Sequence, residues 1–339
     1  MEKTKVAIVG LGGISQIMHL PILAKNKDVE LAAVCDKQFS KVKNIAKKYN
    51  ITKGYKDVDE MLEENPEIDA VIIATRTDDH AETAIKCLDA GKHILVEKPI
   101  ALNYSEAAKI VDAAEKNRKI LMVGMNNRFR TDSMLERSFV KGKELGDIFY
   151  VKAGWLKMQS SDQKWFTDME KAGGGVFIDN GIAMLDLGLW MLGFPEVMSV
   201  SAINYMHNTK TVEDSNFTLV KFKNGSSLTI EVSWSFLRAG EFFYCNVFGT
   251  NGSATINPLK INKMVNKQMF DITPKNIKQT QANFKSSYEI EMQYFIGSIR
   301  GTHTPISTGK EALAVMEILD AVYKSARTGK EVILSLIHI

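Results

Sequence analysis

The feature that most constrains this chain is the repeated order of its first 125 or so residues, in which short apolar runs alternate with helical patterns. Val6-Ala7-Ile8-Val9, Val29 through Asp36, Ala70-Val71-Ile72-Ile73-Ala74, His93 through Glu97 and Ile120 through Gly124 are strand-like. They lack the polar alternation of a strand with one wet face, so both faces are expected to be covered. Helical patterns lie between them, including Ser105–Asn117. This order predicts an α/β Rossmann domain, a doubly wound parallel sheet over residues 1–124. In such a sheet, ligands gather beyond the carboxyl ends of the strands.

Two of those strand ends carry a nucleotide pattern. Gly10-Leu11-Gly12-Gly13-Ile14-Ser15 follows the first strand as G-x-G-x-x-G with serine in the last place. Glycines there permit a tight turn and let backbone approach a pyrophosphate at a helix amino end. The second strand ends in Asp36, about 20 residues on, where a carboxylate accepts from ribose hydroxyls and repels a 2′-phosphate. NAD is therefore expected, with NADP as the alternative because Lys37 and Lys41 soften the repulsion. The competing role for Asp36 is to cap the next helix. Thr75, Thr77 and His80 follow the strand at 70–74, and His80 is expected either to meet the cofactor or to serve the helix start. His19, inside the first helix, reads as packing or a local hydrogen bond.

The strand His93-Ile94-Leu95-Val96 ends in Glu97-Lys98-Pro99, a charged pair against a proline. The Lys98–Pro99 bond is a candidate cis peptide, since only X–Pro bonds adopt cis at low cost. Past Gly124 the pattern changes. Leu228, Ile230, Val232, Trp234 and Phe236 alternate with polar or small residues, and Asn224-Gly225 and Asn251-Gly252 are hairpin dipeptides. Residues 125–333 are thus expected to form an α+β domain with a large, mostly antiparallel open-faced sheet. Gly309–Thr328 reads as one amphipathic helix. Residues 334–339 form an apolar tail with no assigned role.

Composition narrows the partners. A net charge of +3 over 339 residues is too weak and dispersed for a polyanion, so no nucleic acid partner is expected. No apolar run is read as reaching the roughly 18–20 residues of a membrane helix. The strand near the amino end is too short for a signal-peptide core. Cys35, Cys87 and Cys245 lack metal or redox spacing. They read as buried thiols, so no metal and a cytoplasmic location are expected.

Ala7-Ile8-Val9-Gly10-Leu11-Gly12-Gly13, Val34-Cys35-Asp36, Ala90-Gly91-Lys92-His93 and Glu97-Lys98-Pro99 together resemble the glucose–fructose oxidoreductase/inositol dehydrogenase family (Gfo/Idh/MocA). The resemblance covers nearly the whole chain. It implies a nicotinamide cofactor, hydride transfer at a carbinol of a carbohydrate or polyol, and Lys98 near the nicotinamide. It also implies a homodimer or homotetramer formed through the second sheet. Cofactor residues are then expected at Gly10, Gly12, Gly13, Ile14, Asp36, Lys37, Thr75, Thr77, His80, Glu97 and Lys98.

The same resemblance marks Gly173-Gly174-Gly175 through Asp186. Asp179 matches the family's aspartate, but Ala183 stands where a histidine is usual. Asp179, Ala183 and Asp186, at spacings of four and three, share one helix face if the helix has begun by Asp179. Carbinol oxidation needs a base, and alanine supplies none. Lys98 then works alone, or Asp179, a water or a tyrosine substitutes, or the protein binds without turnover. Lys98 and Asp179 are the catalytic candidates. Asn126, Arg128, Trp165 and Asp179 are the substrate candidates, with Phe166 beside Trp165 as an aromatic wall; interdomain salt bridging and core packing are the competing roles. The expected activity is an NAD(P)-dependent oxidoreductase on a sugar, glycoside or cyclitol. Its rivals are a glycosidase that works by oxidation and elimination with retained cofactor, and a sensor of cofactor or metabolite.

Overall fold

A computed structural model describes residues 2–158, 164–236, 240–275 and 283–334. Most of the tail expected at 334–339 lies outside them. The chain divides into two compact units, Met1–Asn126 with Lys285–Leu313 and Asn127–Phe284 with Ala314–Ile339. The expected division, with 125–333 in one second domain, differs from this by the return of 285–313 to the first unit. That return closes a sheet edge. Thr308 forms an antiparallel bridge with Met122, and the Val123 N–H donates to the Ser307 carbonyl at 3.0 Å. An otherwise bare edge strand is thereby partly paired.

The first unit holds β1 (Thr4–Val9), β2 (Val29–Cys35), β3 (Lys53–Tyr55), β4 (Ala70–Ile73), β5 (His93–Glu97) and β6 (Leu121–Gly124). All pairs are parallel, in the order β3-β2-β1-β4-β5-β6. The strand order reverses between β1 and β4, the crevice where doubly wound sheets bind dinucleotides. Val71, Ile72 and Ile73 are wholly buried, each worth roughly 1.5–3 kcal/mol of burial. β3 escapes a hydrophobic reading because it is three residues long and contains Gly54.

The second unit is built on β7 (Ile148–Leu156), β8 (Val197–Tyr205), β9 (Ser215–Phe222), β10 (Ser227–Ser233), β11 (Phe242–Gly249), β12 (Gly252–Thr255), β13 (Lys260–Val265), β14 (Gln268–Asp271) and β15 (Val332–Ile333). Their order is β14-β13-β12-β11-β7-β10-β9-β8-β15, antiparallel except for β7 with β10. Leu228, Ile230 and Val232 of β10 face inward, as their alternation predicts. The Asn224-Gly225 turn joins β9 to β10, whereas Gly252 already belongs to β12.

Helix α1 (Ile182–Leu192) packs on this sheet so closely that a Cβ on Gly188 would stand 2.5 Å from Leu228 Cδ1. The helical stretch Met169–Leu192 is long and apolar enough to cross a membrane, contrary to the expectation that no run approaches that length. Its most apolar part is 83% buried in the fold, which makes it a core element. On the sheet itself, Ile203, Phe217, Glu231, Gly154 and Tyr244 form one cross-strand row. Ile203 and Phe217 are exposed, and a groove of about 640 Å³ runs beside them.

The helix Thr131–Lys141 buries Glu136 completely, with no hydrogen-bond partner for either carboxylate oxygen among the described residues. Burial, with Asp132 nearby, pushes this carboxyl well above the usual range. The raised folded-state value sets the sign. The contribution to stability is fully present below the ordinary carboxylate pKa and is lost as pH rises through the folded value. Glu136→Gln removes that loss. Its melting temperature is expected to exceed the parent's at pH 8 by at least about 2 °C, with a smaller gap at pH 5. A variant that melts lower at both values contradicts this reading of Glu136.

Candidate active site

In the first unit the glycine turn is fastened by backbone. The Gly10 N–H donates to the Cys35 carbonyl at 2.8 Å. Gly10 has φ +92°, and a Cβ there would lie 2.5 Å from the Ala74 carbonyl group. Only glycine meets both demands. Ser15, in the last place of the motif, is buried and donates its hydroxyl to the Gly10 carbonyl at 2.5 Å. A Cβ on Gly12 or Gly13 would meet nothing within 4 Å. These two positions therefore border open space, as a backbone cradle for pyrophosphate requires. Ile14 precedes a wide helical turn at Ser15–His19 that continues through Leu23.

Asp36 stands just past β2. Its Oδ2 accepts the Leu11 N–H at 2.7 Å, and its Oδ1 accepts the Gln38 N–H at 2.8 Å at the foot of the next helix. The carboxylate thus braces the glycine turn and serves the helix start, with lone pairs left for a ribose. Lys37, the cation that would soften repulsion of a 2′-phosphate, is paired with Asp79 at 2.7 Å. Thr75 lies past β4, and Thr77 opens the helix Thr77–Asp89. His80 is buried: Nδ1 lies 2.8 Å from the Pro99 carbonyl and Nε2 lies 3.2 Å from that of Thr75. The shorter contact assigns the proton to Nδ1, and burial pushes the imidazole pKa down. His80 is thus a cross-brace between the ends of β4 and β5.

Lys98 follows β5 and is half-buried, and the Lys98–Pro99 peptide is cis, as read from the sequence. Glu97 is buried, and its Oε1 lies 2.8 Å from His19 Nε2. His19 thus makes a hydrogen bond, to a residue 78 positions away rather than a local one. Asn126 is buried and donates from Nδ2 to Ser287 Oγ at 3.0 Å.

In the second unit, Asp179 lies in a wide helical turn, Phe177–Gly181, that runs into α1. The Trp234 Nε1–H donates to Asp179 Oδ2 at 3.3 Å. Phe166 stacks on Trp234 with centroids 5.2 Å apart, and Trp165 meets Phe166 edge-on at 5.5 Å. The aspartate therefore meets Trp234, the end of a run of three aromatic rings. The sequence placed Trp165 and Phe166 in such a wall and read Trp234 only as a buried strand residue.

Two expectations fail here. Asp179, Ala183 and Asp186 do not present one chemical face, because the wide turn adds a residue to the helical phase. Asp179 is half-exposed, whereas Ala183 and Asp186 are buried. Arg128, expected to reach substrate, has no exposed side chain; it grips Asp186 bidentately at 2.7 and 2.6 Å and stacks near Trp190 and Phe194. Desolvation of a charge that deep requires this pairing. Arg128 is a core ion pair of the second unit.

The triple glycine is shaped by Glu213. This buried carboxylate accepts the N–H groups of Gly175 at 3.1 Å and Phe177 at 3.0 Å, and the Tyr323 hydroxyl donates to it at 2.9 Å. A Cβ on Gly174 would lie 2.0 Å from the Tyr323 hydroxyl oxygen, and one on Gly175 would lie 1.9 Å from the Glu213 carbonyl oxygen. Burial raises the pKa of Glu213 despite those donors. No side-chain cluster fit to hold a metal occurs among the described residues.

Comparison with known proteins agrees with this geometry. A family model described as oxidoreductase family, NAD-binding Rossmann fold, matches residues 4–125. Its companion, the C-terminal alpha/beta domain, matches residues 137–334. The chain is 30% identical to D-glucoside 3-dehydrogenase of Escherichia coli, over 97% of both chains. It is 29% identical to scyllo-inositol 2-dehydrogenase (NAD(+)) of Bacillus subtilis, over 98% of this chain and 96% of that protein. The crystal structure of GenD2 from gentamicin A biosynthesis, in complex with NAD, superposes with a TM-score of 0.86 at 25% identity, covering 99% and 97% of the two chains. Levoglucosan dehydrogenase with NADH and levoglucosan shares the fold, with a TM-score of 0.88 at 20% identity and 98% and 99% covered.

The open space at Gly12 yields a test. Gly12→Ala adds a methyl that touches no protein atom, so melting should stay within about 1 °C of the parent. NAD affinity measured by calorimetry should fall at least tenfold, about 1.4 kcal/mol. Unchanged NAD affinity would remove Gly12 from the cradle.

Proposed function

The chain belongs to the Gfo/Idh/MocA oxidoreductase family, and from that premise we propose that it moves hydride between NAD and a secondary alcohol or ketone carbon of a sugar, glycoside or cyclitol. The observation that carries the reading is the grouping of the glycine turn, Asp36 and Lys98 past the carboxyl ends of one parallel sheet. The residues fit the cofactor: Gly10, Gly12, Gly13 and Ile14 would cradle its pyrophosphate, and Asp36 would accept from its ribose. Thr75, Thr77 and Lys98 border the same edge. Bound NAD supplies the hydride acceptor. Asp36, with Lys37 already paired to Asp79, supports NAD over NADP.

Lys98 Nζ takes the hydroxyl proton during oxidation and returns it during reduction. Asp179 accepts from a sugar hydroxyl, while Trp165 and Phe166 offer rings to its C–H face. With D-glucoside 3-dehydrogenase among the relatives, D-glucosides are the first substrates to try. Ala183 favours one second reading, a protein that binds cofactor and sugar without turnover. The exposed row on the second sheet, Ile203 and Phe217, supports self-association into a dimer or tetramer. Three buried free thiols, Cys35 and Cys87 with pKa pushed up to about 12 and Cys245 also pushed well above the usual thiol value by burial, suit a reducing compartment and thus the cytoplasm.

A panel of glucosides, free hexoses and inositols with NAD and NADP, followed by reduced-nicotinamide absorbance, tests the reaction. On the substrate found, Lys98→Ala should lower kcat by about 10²- to 10⁴-fold. Retained activity in that variant would dismiss the role of Lys98. NAD binding with no turnover across the panel would establish the second reading instead. For assembly, Phe217→Glu should shift the sedimentation of the parent toward the monomer; a parent that already sediments as a monomer ends that proposal.

A further inference from the structure

Two buried imidazoles hold Glu97-Lys98-Pro99 from opposite ends. His19 is wholly buried and donates from Nε2 to Glu97 Oε1 at 2.8 Å. The other oxygen of that carboxylate accepts the Lys98 backbone N–H at 3.3 Å. Beyond Lys98, His80 donates to the Pro99 carbonyl at 2.8 Å. Space around the carboxylate is tight: a Cβ on Gly124 would come within 3.0 Å of Glu97 Oε2. Tyr288 sets its ring edge-on to His19, with centroids 5.8 Å apart.

His19 is also tied to the glycine turn through its own helix. Four residues earlier, Ser15 donates its hydroxyl to the Gly10 carbonyl. One helical segment is therefore fastened to the glycine turn at one end and to the Lys98 strand at the other. A buried carboxylate–imidazole contact is a poor means of adding stability, because desolvation offsets most of its attraction. Its distinctive product is fixed orientation. The carboxylate cannot rotate without losing either His19 or the Lys98 amide.

We propose that His19 and Glu97 are positioning residues for Lys98, acting from the helix that follows the glycine turn. This rests on the reading of Lys98 as the proton-transfer group. The pair acts through Lys98: it sets where the Lys98 backbone, and hence its amine, stands. Loss of the pair should then affect kcat more than cofactor affinity, since small misplacements at a reacting group are costly in rate.

The test uses the full chain with His19→Leu, which removes the donor, and His19→Gln, whose amide N–H can restore it. Glu97→Gln serves as a second route if His19→Leu does not fold. Acylation of Lys98 by acetic anhydride, read by mass spectrometry on NAD-saturated protein, needs no substrate. Relative to the other lysines, its rate should change by about threefold or more in His19→Leu and return in His19→Gln. On the substrate found in the panel, kcat should fall about 10²-fold in His19→Leu and recover in His19→Gln, with the NAD Kd within about threefold of the parent throughout. A folded His19→Leu or Glu97→Gln whose Lys98 labels as in the parent overturns the proposal. So does a loss that glutamine at 19 fails to recover. If the parent oxidises no sugar, the proposed reaction fails, and the labelling alone still decides the positioning.

Discussion

The carbonyl of Ala74 and the amide of Thr75 occupy the space where any side chain at residue 10 would have to stand. This contact between the glycine turn and the end of β4 sets how low the turn lies over the sheet edge. The following elements inherit that height. Ser15 fastens its hydroxyl to Gly10, the helical segment departs from there, and four residues on His19 reaches Glu97 at the end of β5. Asp36 fastens the same turn from the other side through the Leu11 amide. The strands bring the edge together, but short polar contacts made by buried groups fix its shape.

The second unit uses the same device with different parts. Glu213 and Tyr323 fill the space that glycines 174 and 175 leave open, and the amides of Gly175 and Phe177 converge on the Glu213 carboxylate. The turn that carries Asp179 is thereby pinned from below. Burying an acid in this way is unfavourable, as its raised pKa shows. Such groups are tolerated when hydrogen bonds satisfy them. Glu136, also buried and without a hydrogen-bond partner among the described residues, illustrates the unfavourable case.

Ala183 places unusual weight on the remaining polar groups. It is buried in α1 and offers no proton acceptor, so Asp179 stands with Trp234 and the aromatic rings rather than with an imidazole. An aspartate beside aromatic faces suits holding a polyhydroxylated ring. In the proposed reaction, proton transfer then falls to Lys98, which stands among the buried contacts around Glu97-Lys98-Pro99.

Wherever one residue's identity answers to local physics, the sequence alone was enough. Apolar runs without alternation announced the parallel sheet, the glycines and Asp36 announced the turn and its ligand, and Glu97-Lys98-Pro99 announced the end of β5. The hairpin at Asn224-Gly225 and the helix Gly309–Thr328 were equally legible. What the tertiary structure decided concerns partners distant in the chain. Arg128 and Asp186 are 58 residues apart, and His19 and Glu97 are 78 apart. No local pattern distinguishes an arginine that reaches a ligand from one that neutralises a buried aspartate. The return of 285–313 to cover β6, the three-residue β3 and the extra residue in the turn at Phe177–Gly181 belong to the same class. Periodicity reports which face a residue presents, but only the folded chain determines what that face meets.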